Sequence, residues 1–268
     1  MPTKKKEELQ KKEQAEVGAV SDNYDDDAGS GMEGSSQTDF TLAFISIAQL
    51  LSKGVIAGNF VEGSIFNSAT GKTISGEDGI SFVPVLRTRR FVEWIELKRG
   101  GGRVGDFLPE DPEVLKAISE SKDSFTLKIG DNDLIETFYM YGIIVDGERY
   151  YEACIPFKSA AIRKYKGWMV EMRALRFTKS DGTQATYPTF AHRWRLTTIP
   201  QSNTAGDFYN WEIGFDGKDA ADCRLPADSN HYQLAKQLHE FLVKDGSTVS
   251  YSKESGGGDQ SKLEEGAL

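Results

Sequence analysis

The segment LIETFYMYGIIVDGERYYEACIPF, residues 134–157, constrains the fold more than any other. Two runs rich in aromatic and β-branched side chains flank Asp146-Gly147. That dipeptide tolerates the positive φ angles of a two-residue turn between antiparallel strands. A chain that commits two long runs to one hairpin is built around a sheet.

The remaining pattern agrees with a β-rich domain. From 60 to 99, short apolar runs are broken by ATGKT and SGEDG, which reads as strands joined by tight turns. The apolar parity of the long run after residue 80 changes near Arg87 to Arg90, which predicts a bend or bulge there. TFAHRWRLTTI and DFYNWEIGF read as two further strands around PQSNTAGD. Helices are predicted at four places. Phe40, Ala43, Phe44, Ile47, Leu50 and Leu51 recur at helical spacing up to Gly54. Residues 111–119 place Pro112 in a first turn. KSAAIRKYKGWMVEMRAL puts Ala161, Tyr165, Trp168, Met172 and Leu175 on one stripe, although Gly167 costs it about 1 kcal/mol. Asp228 to Lys244 closes the series with an amphipathic helix through Leu234 and Leu238. The expected class is α+β and β-dominated: an antiparallel OB-like barrel, or a two-sheet sandwich, with several peripheral helices.

Charge divides the chain into three parts. Residues 1–39 hold five cations and ten carboxylates, and residues 245–268 hold two and five, so the formal charge of -9 lies almost wholly in the ends. Residues 1–36 and 246–268 are poor in large apolar groups and are expected to be disordered acidic tails around a domain at 37–245. No apolar run approaches the roughly 18 residues that span a bilayer, which predicts no membrane partner, and the basic N-terminus lacks the apolar stretch of a signal peptide. The expected place of action is the cytoplasm. Cys154 and Cys223 are far apart and His192, His231 and His239 are scattered, so neither a disulfide, a metal site nor a cofactor is predicted.

Three motifs resemble catalytic elements without meeting their spacing. Gly71-Lys72-Thr73 has Phe66 where a phosphate loop needs glycine. GGGRVG at 100–105 lacks dinucleotide-binding spacing and reads as a loop beside a basic strand. Glu96-Leu97-Lys98 matches a nuclease element that Glu120-Ser121-Lys122 and Asp216-Gly217-Lys218 match equally. No enzyme activity is expected.

What remains is positive charge concentrated in a chain of acidic pI. Residues 83–103 carry Arg87, Arg89, Arg90, Lys98, Arg99 and Arg103 against Glu93 and Glu96. Residues 158–179 carry Lys158, Arg163, Lys164, Lys166 and Arg173, with Arg176 and Lys179, against Glu171 alone. Arg193 and Arg195 flank Trp194. Single-strand binding needs cations that follow phosphates and aromatic faces on which bases stack. Trp94, Tyr165, Trp168 and Trp194 are the candidate platforms, yet Trp168 lies on the apolar stripe of its helix and Trp194 opposes its flanking arginines, both positions that suit a core. The alternative for the cations is a solvated surface paired with acids from elsewhere in the domain.

FTLAFISIAQLLSKG, EGSIFNSATGK, ISFVPVLRTRRFVEWIELKRGGGRVG, FKSAAIRKYKGWMVEM and TFAHRWRLTTIPQSNTAGDFYNWEIGF together resemble a group of tailed-bacteriophage proteins from replication regions, with a presumed single-stranded DNA-binding role. The resemblance spans roughly residues 38–216 and implies a non-enzymatic accessory of DNA replication or recombination in an infected bacterium. It implies single-stranded DNA and phage replication proteins as partners, leaves room for a homo-oligomer, and carries Arg89, Arg90, Arg163, Lys164 and Lys166 into the binding surface. The chain ends KLEEGAL and not in a dense acidic tail with a terminal aromatic. A structural or protein-interaction component of a phage particle or host-takeover complex is the alternative.

Overall fold

A computed structural model describes residues 42–50, 52–121, 127–147, 149–203 and 206–245. The expected tails lie outside the described residues. In chain order the elements are β1 (Ala43–Ile47), α1 (Lys53–Ile56), β2 (Ile65–Asn67), β3 (Thr73–Ile74), β4 (Ile80–Trp94), β5 (Arg103–Phe107), α2 (Pro112–Glu120), β6 (Leu127–Ile129) and β7 (Asn132–Asp146). They continue as β8 (Arg149–Lys158), α3 (Ala161–Ala174), β9 (Arg176–Thr178), β10 (Gln184–Thr186), β11 (Trp194–Asn203), β12 (Gly206–Phe215) and α4 (Asn230–Asp245).

The predicted hairpin forms, with Asp146 still paired as the last residue of β7 and Gly147 beginning the turn. β7 and β8 pair antiparallel from Asp146↔Arg149 to Thr137↔Lys158, with Gly147 at φ 61°. Around it ten strands form one curled mixed sheet, ordered β12-β11-β4-β7-β8-β1-β2-β3, with β5 added to β4 and β6 to β7. β9 and β10 pair apart from it. The sheet is a half-barrel, neither a pair of stacked sheets nor wholly antiparallel. β1 runs parallel to β8, pairing Ala43 with Ala153 and Phe44 with Cys154. No hairpin joins these two strands, so nothing in the connection dictates antiparallel direction.

That strand corrects the helix expected up to Gly54. Ala43, Phe44 and Ile45 are all buried, because β1 is covered on both faces. A strand buried on both sides is apolar at every position, and a continuous apolar run satisfies a 3.6-residue period as well as a 2-residue one. Among the described residues of the predicted helix only Lys53 and Gly54, the start of α1, are helical, and residues 38–41 and Leu51 lie outside the described residues.

Helices cover both faces. Phe138, Met140 and Ile144 of β7 pack with Phe82, Phe157, Trp194 and Trp211 beneath Tyr165, Trp168 and Met172 of α3. The intervening Tyr139, Tyr141 and Ile143 join Val83, Val85 and Phe190 against Ala235, Leu238 and Leu242 of α4. A third cluster seats Val114 and Ala117 of α2 on Phe91, Leu127 and Leu134. The last three predicted helices thus form, and α3 accommodates its central glycine. Among the described residues no helix is long and apolar enough to cross a membrane.

β4 contains the predicted bulge, slightly upstream of its expected place. Pro84 opposes Gly142 and Leu86 opposes Tyr141, leaving Val85 as the extra residue. Proline cannot donate to a ladder and is tolerated in a central strand at such a point. The bulge inverts the alternation: Phe82 faces α3 before it, whereas Arg87 and Arg89 occupy that face after it, opposite Met140 and Phe138.

Candidate functional site

By re-aiming β4, the bulge sets Arg87 and Arg89 beside α3, so two of the basic segments meet. Their common centre is Phe138, whose ring stacks on Tyr165 at 4.7 Å. The Arg89 guanidinium carbon lies 5.8 Å from the Phe138 centroid and 5.2 Å from that of Phe91. Lys166 Nζ lies 5.9 Å from the same Phe138 ring, within reach of a cation–π attraction. Arg87 faces the Tyr165 hydroxyl. Burial pushes the Tyr165 pKa up, and the neighbouring guanidinium pulls the other way. One carboxylate enters this group: Glu136 accepts from Arg89 Nε at 2.7 Å and Nη2 at 2.6 Å.

The buried stripe of α3 fixes which of its cations reach solvent. Tyr165, Trp168 and Met172 point into the core. Arg163, Lys166 and Arg173 are exposed and Lys164 is half-buried. Successive helical residues turn by about 100°, so Lys166 and Arg173 share the flank toward Phe138, Arg163 lies near the crest, and Lys164 falls on the opposite flank. Among the described residues none of these four makes an ion pair. On the Lys164 side, α3 and the β11–β12 pair enclose a groove of about 430 Å³ whose wall includes Arg163, Gly167, Glu171, Gln201, Asn210 and Glu212.

The other predicted cations are dispersed, and most are matched by acids. Arg90 and Arg103 converge on Asp106, the former at 3.4 Å. They lie on the sheet face opposite Arg87 and Arg89, where Lys158 Nζ sits 4.7 Å from the Trp94 centroid. Arg99, in the 3₁₀ turn Leu97–Arg99 with exposed Lys98, pairs with Asp131 at 3.5 Å and donates to its carbonyl at 2.7 Å. Arg193 and Arg195 both grip Asp216, at 3.0 and 2.8 Å, and Ser81 Oγ donates to that carboxylate at 2.6 Å. Glu96 of the nuclease-like triplet is bound by Lys128, whose hydrogen bond and charge hold the carboxyl below its usual range.

The four aromatic platforms require correction. Trp94 is 6% exposed, Tyr165 and Trp168 2%, and Trp194 0%. Trp168 meets Trp194 edge-on at 5.7 Å, and Trp194 stacks on Phe215 at 4.6 Å. Their rings are structural, since a base can stack only on a face that water reaches. Tyr165 and Trp168 lie on the buried stripe of α3, and Trp168 and Trp194 occupy the core positions that their spacing suits.

Sequence reading also missed Phe138 and the groove's polar wall. Asn210 and Glu212, two apart in DFYNWEIGF, are the available signal, because polar residues alternate there within an otherwise aromatic strand.

The sequence matches the Pam3 phage gp34-like protein family over residues 10–248, most of its length. The chain belongs to that family. Comparison with curated proteins gives no match, and neither does comparison with solved structures. The Pam3 phage gp34-like family is a phage family, so the bacteriophage origin that the sequence suggested stands.

Proposed function

We propose that this Pam3 phage gp34-like protein binds single-stranded DNA without sequence preference, through the cations of α3 and the adjoining Arg87 and Arg89. The observation that carries this reading is the contrast in pairing. Arg163, Lys164, Lys166 and Arg173 meet no carboxylate among the described residues, whereas Arg90, Arg99, Arg193 and Arg195 do, as does Arg89 at the margin of the α3 surface through Glu136. Cations grouped without counter-charges are available to phosphates, and each phosphate they neutralise releases counterions. With the tryptophans buried, binding runs through the backbone more than through stacking. The protein performs no bond chemistry; it shelters single strands in the host cytoplasm during phage DNA replication or recombination, beside phage replication proteins. An OB-like relationship of the half-barrel belongs to the same proposal.

The competing reading, a protein-interaction component of a phage particle or host-takeover complex, draws on exposed Leu108, Leu115 and Ile118, the last two on one face of α2. Fluorescence anisotropy of a labelled oligo-dT of about 30 nucleotides, beside a duplex of the same length, separates the two. Tighter binding of the single strand that weakens with salt supports the proposal, and no binding at low salt overturns it.

A further inference from the structure

Gly167 sits in the middle of α3, where glycine weakens a helix through lost backbone entropy. Nothing within the described protein demands it, because a Cβ built at Gly167 meets no atom within 4 Å. Gly142 is the opposite case: a Cβ there would stand 2.3 Å from the Val83 carbonyl oxygen and 2.4 Å from the Phe82 ring. Packing explains Gly142 and leaves Gly167 unexplained. The bare backbone at Gly167 instead forms part of the groove wall. A glycine there leaves the helix backbone open to close approach by an occupant of the groove.

The facing wall indicates the chemistry of that occupant. Asn210 Nδ2 donates to Gln201 Oε1 at 3.0 Å, which fixes the amide of Gln201 and leaves its Nε2 without a partner among the described residues. The Glu212 carboxylate likewise has none. Two residues of the groove lining, Gln201 and Glu212, therefore carry an uncommitted donor and an uncommitted acceptor. The Watson–Crick edge of each nucleobase carries a donor next to an acceptor and complements that pair. Glu171 and Glu212 repel a phosphate from this wall, whereas Arg163 and Lys164 attract one to the helix side. A volume of about 430 Å³ has ample room for a base together with its sugar.

We infer that the groove receives one base of the bound strand, turned out from its neighbours and laid against the α3 backbone at Gly167, while its phosphate stays on Arg163 and Lys164. The inference rests on the single-strand reading above. Because all four bases present such an edge, the groove adds affinity without selecting sequence.

The test compares a labelled oligo-dT of about 30 nucleotides with a sugar-phosphate strand of equal length that carries no bases, at one salt concentration. The wild-type protein binds oligo-dT about tenfold more tightly, in keeping with one recognised base. Gly167→Leu fills the groove and binds both strands alike, at the wild-type affinity for the baseless strand. Should that variant fail to fold, Glu212→Ala serves: it lowers the preference for bases while raising affinity for the baseless strand, since a repelling carboxylate is gone. Equal wild-type affinity for the two strands overturns the base site and leaves DNA binding standing. Absence of binding to either strand overturns the single-strand reading itself. Displacement of oligo-dT by free thymidine monophosphate with equal effect on the baseless strand also overturns the inference, because the nucleotide would then compete only for the phosphate-binding cations.

Discussion

One side chain joins Gln49 to Tyr209 by two hydrogen bonds across 160 residues of sequence: Gln49 Nε2 donates to the Tyr209 carbonyl at 2.8 Å, and the Tyr209 N–H donates to Gln49 Oε1 at 2.9 Å. Tyr209 opposes Pro200 in the β11–β12 ladder. Proline has no N–H, so both backbone groups of Tyr209 turn to the outer edge of β12. There the Gln49 amide takes the place of a neighbouring strand and holds the half-barrel in its curl. Trp211, the next outward residue, gives its N–H to Asn210 Oδ1 at 2.8 Å. Side-chain amides thus occupy an edge that would otherwise offer itself to another chain.

Gln49→Ala is expected to cost about 2 kcal/mol, two partly buried hydrogen bonds at about 1 kcal/mol each. In urea unfolding the midpoint falls while the m value holds. Gln49→Glu keeps the acceptor but sets a carboxylate oxygen against the Tyr209 carbonyl, so its midpoint falls at least as far as that of Gln49→Ala. A midpoint unmoved in both variants would mean that the strap contributes nothing to stability.

Asp216 holds Ser81, Arg193 and Arg195 where β4, β11 and β12 meet, with its own side chain 10% exposed. Asp216→Asn leaves two guanidinium groups without their counter-charge and is expected to destabilise by about 1–2 kcal/mol, because the arginines remain partly in water. Restoration of stability by adding Arg195→Ala to that variant, read by thermal unfolding, identifies charge as the cause. Equal losses in the single and double variants would point to the Ser81 bond instead.

His192 is 4% exposed and meets the Tyr187 ring edge-on at 4.9 Å, while Arg224 donates to the Tyr187 hydroxyl at 3.1 Å. Burial pushes the imidazole pKa below its ordinary 6.5, and the Arg224 charge adds to that. The unfolded chain therefore takes up a proton near pH 6.5 that the folded chain refuses. Stability contributed by neutral His192 is complete above that pH and declines as pH falls toward the lowered folded value. His192→Phe retains a ring and removes the titration. Its melting temperature is expected to drop less than the wild type's between about pH 7 and about pH 5. Equal drops would assign the acid sensitivity to other groups.

Gly167→Ala is expected to stabilise the fold by about 0.5–1 kcal/mol, since alanine is the better helix former and its Cβ meets nothing within 4 Å. Equilibrium unfolding reads this directly. A loss of stability would mean that the glycine serves the fold, and no occupant of the groove would then be needed to explain it.

Much of the framework was legible because local chemistry and tertiary structure agree. Gly147 supplies the positive φ where the chain leaves β7, Pro112 opens α2, and the stripe through Tyr165, Trp168 and Met172 is the one that α3 buries. β1 was misread because AFISI is apolar at every position but Ser46, and periodicity has little to distinguish. The parity change in β4 was visible, but its consequence, Arg87 and Arg89 turned toward α3, depends on which helix covers which face. Pairing was hidden for the same reason: Asp106 and Asp216 lie far enough along the chain from Arg90, Arg193 and Arg195 that only the sheet register brings them together. Sequence identifies a basic segment, whereas the fold decides which cations keep their charge uncommitted.

The central claim is that the α3 cations hold single-stranded DNA. Its most direct test is the salt dependence of oligo-dT affinity for the wild-type protein, the triple variant Arg163→Ala, Lys166→Ala, Arg173→Ala, and Arg99→Ala as the paired control. The account predicts that the triple variant binds weakly, with a slope of log K against log salt shallower by about 2, near 0.7 for each phosphate no longer neutralised. Arg99→Ala leaves affinity and slope unchanged. An unaltered slope in the triple variant, or a weakening confined to Arg99→Ala, would contradict it.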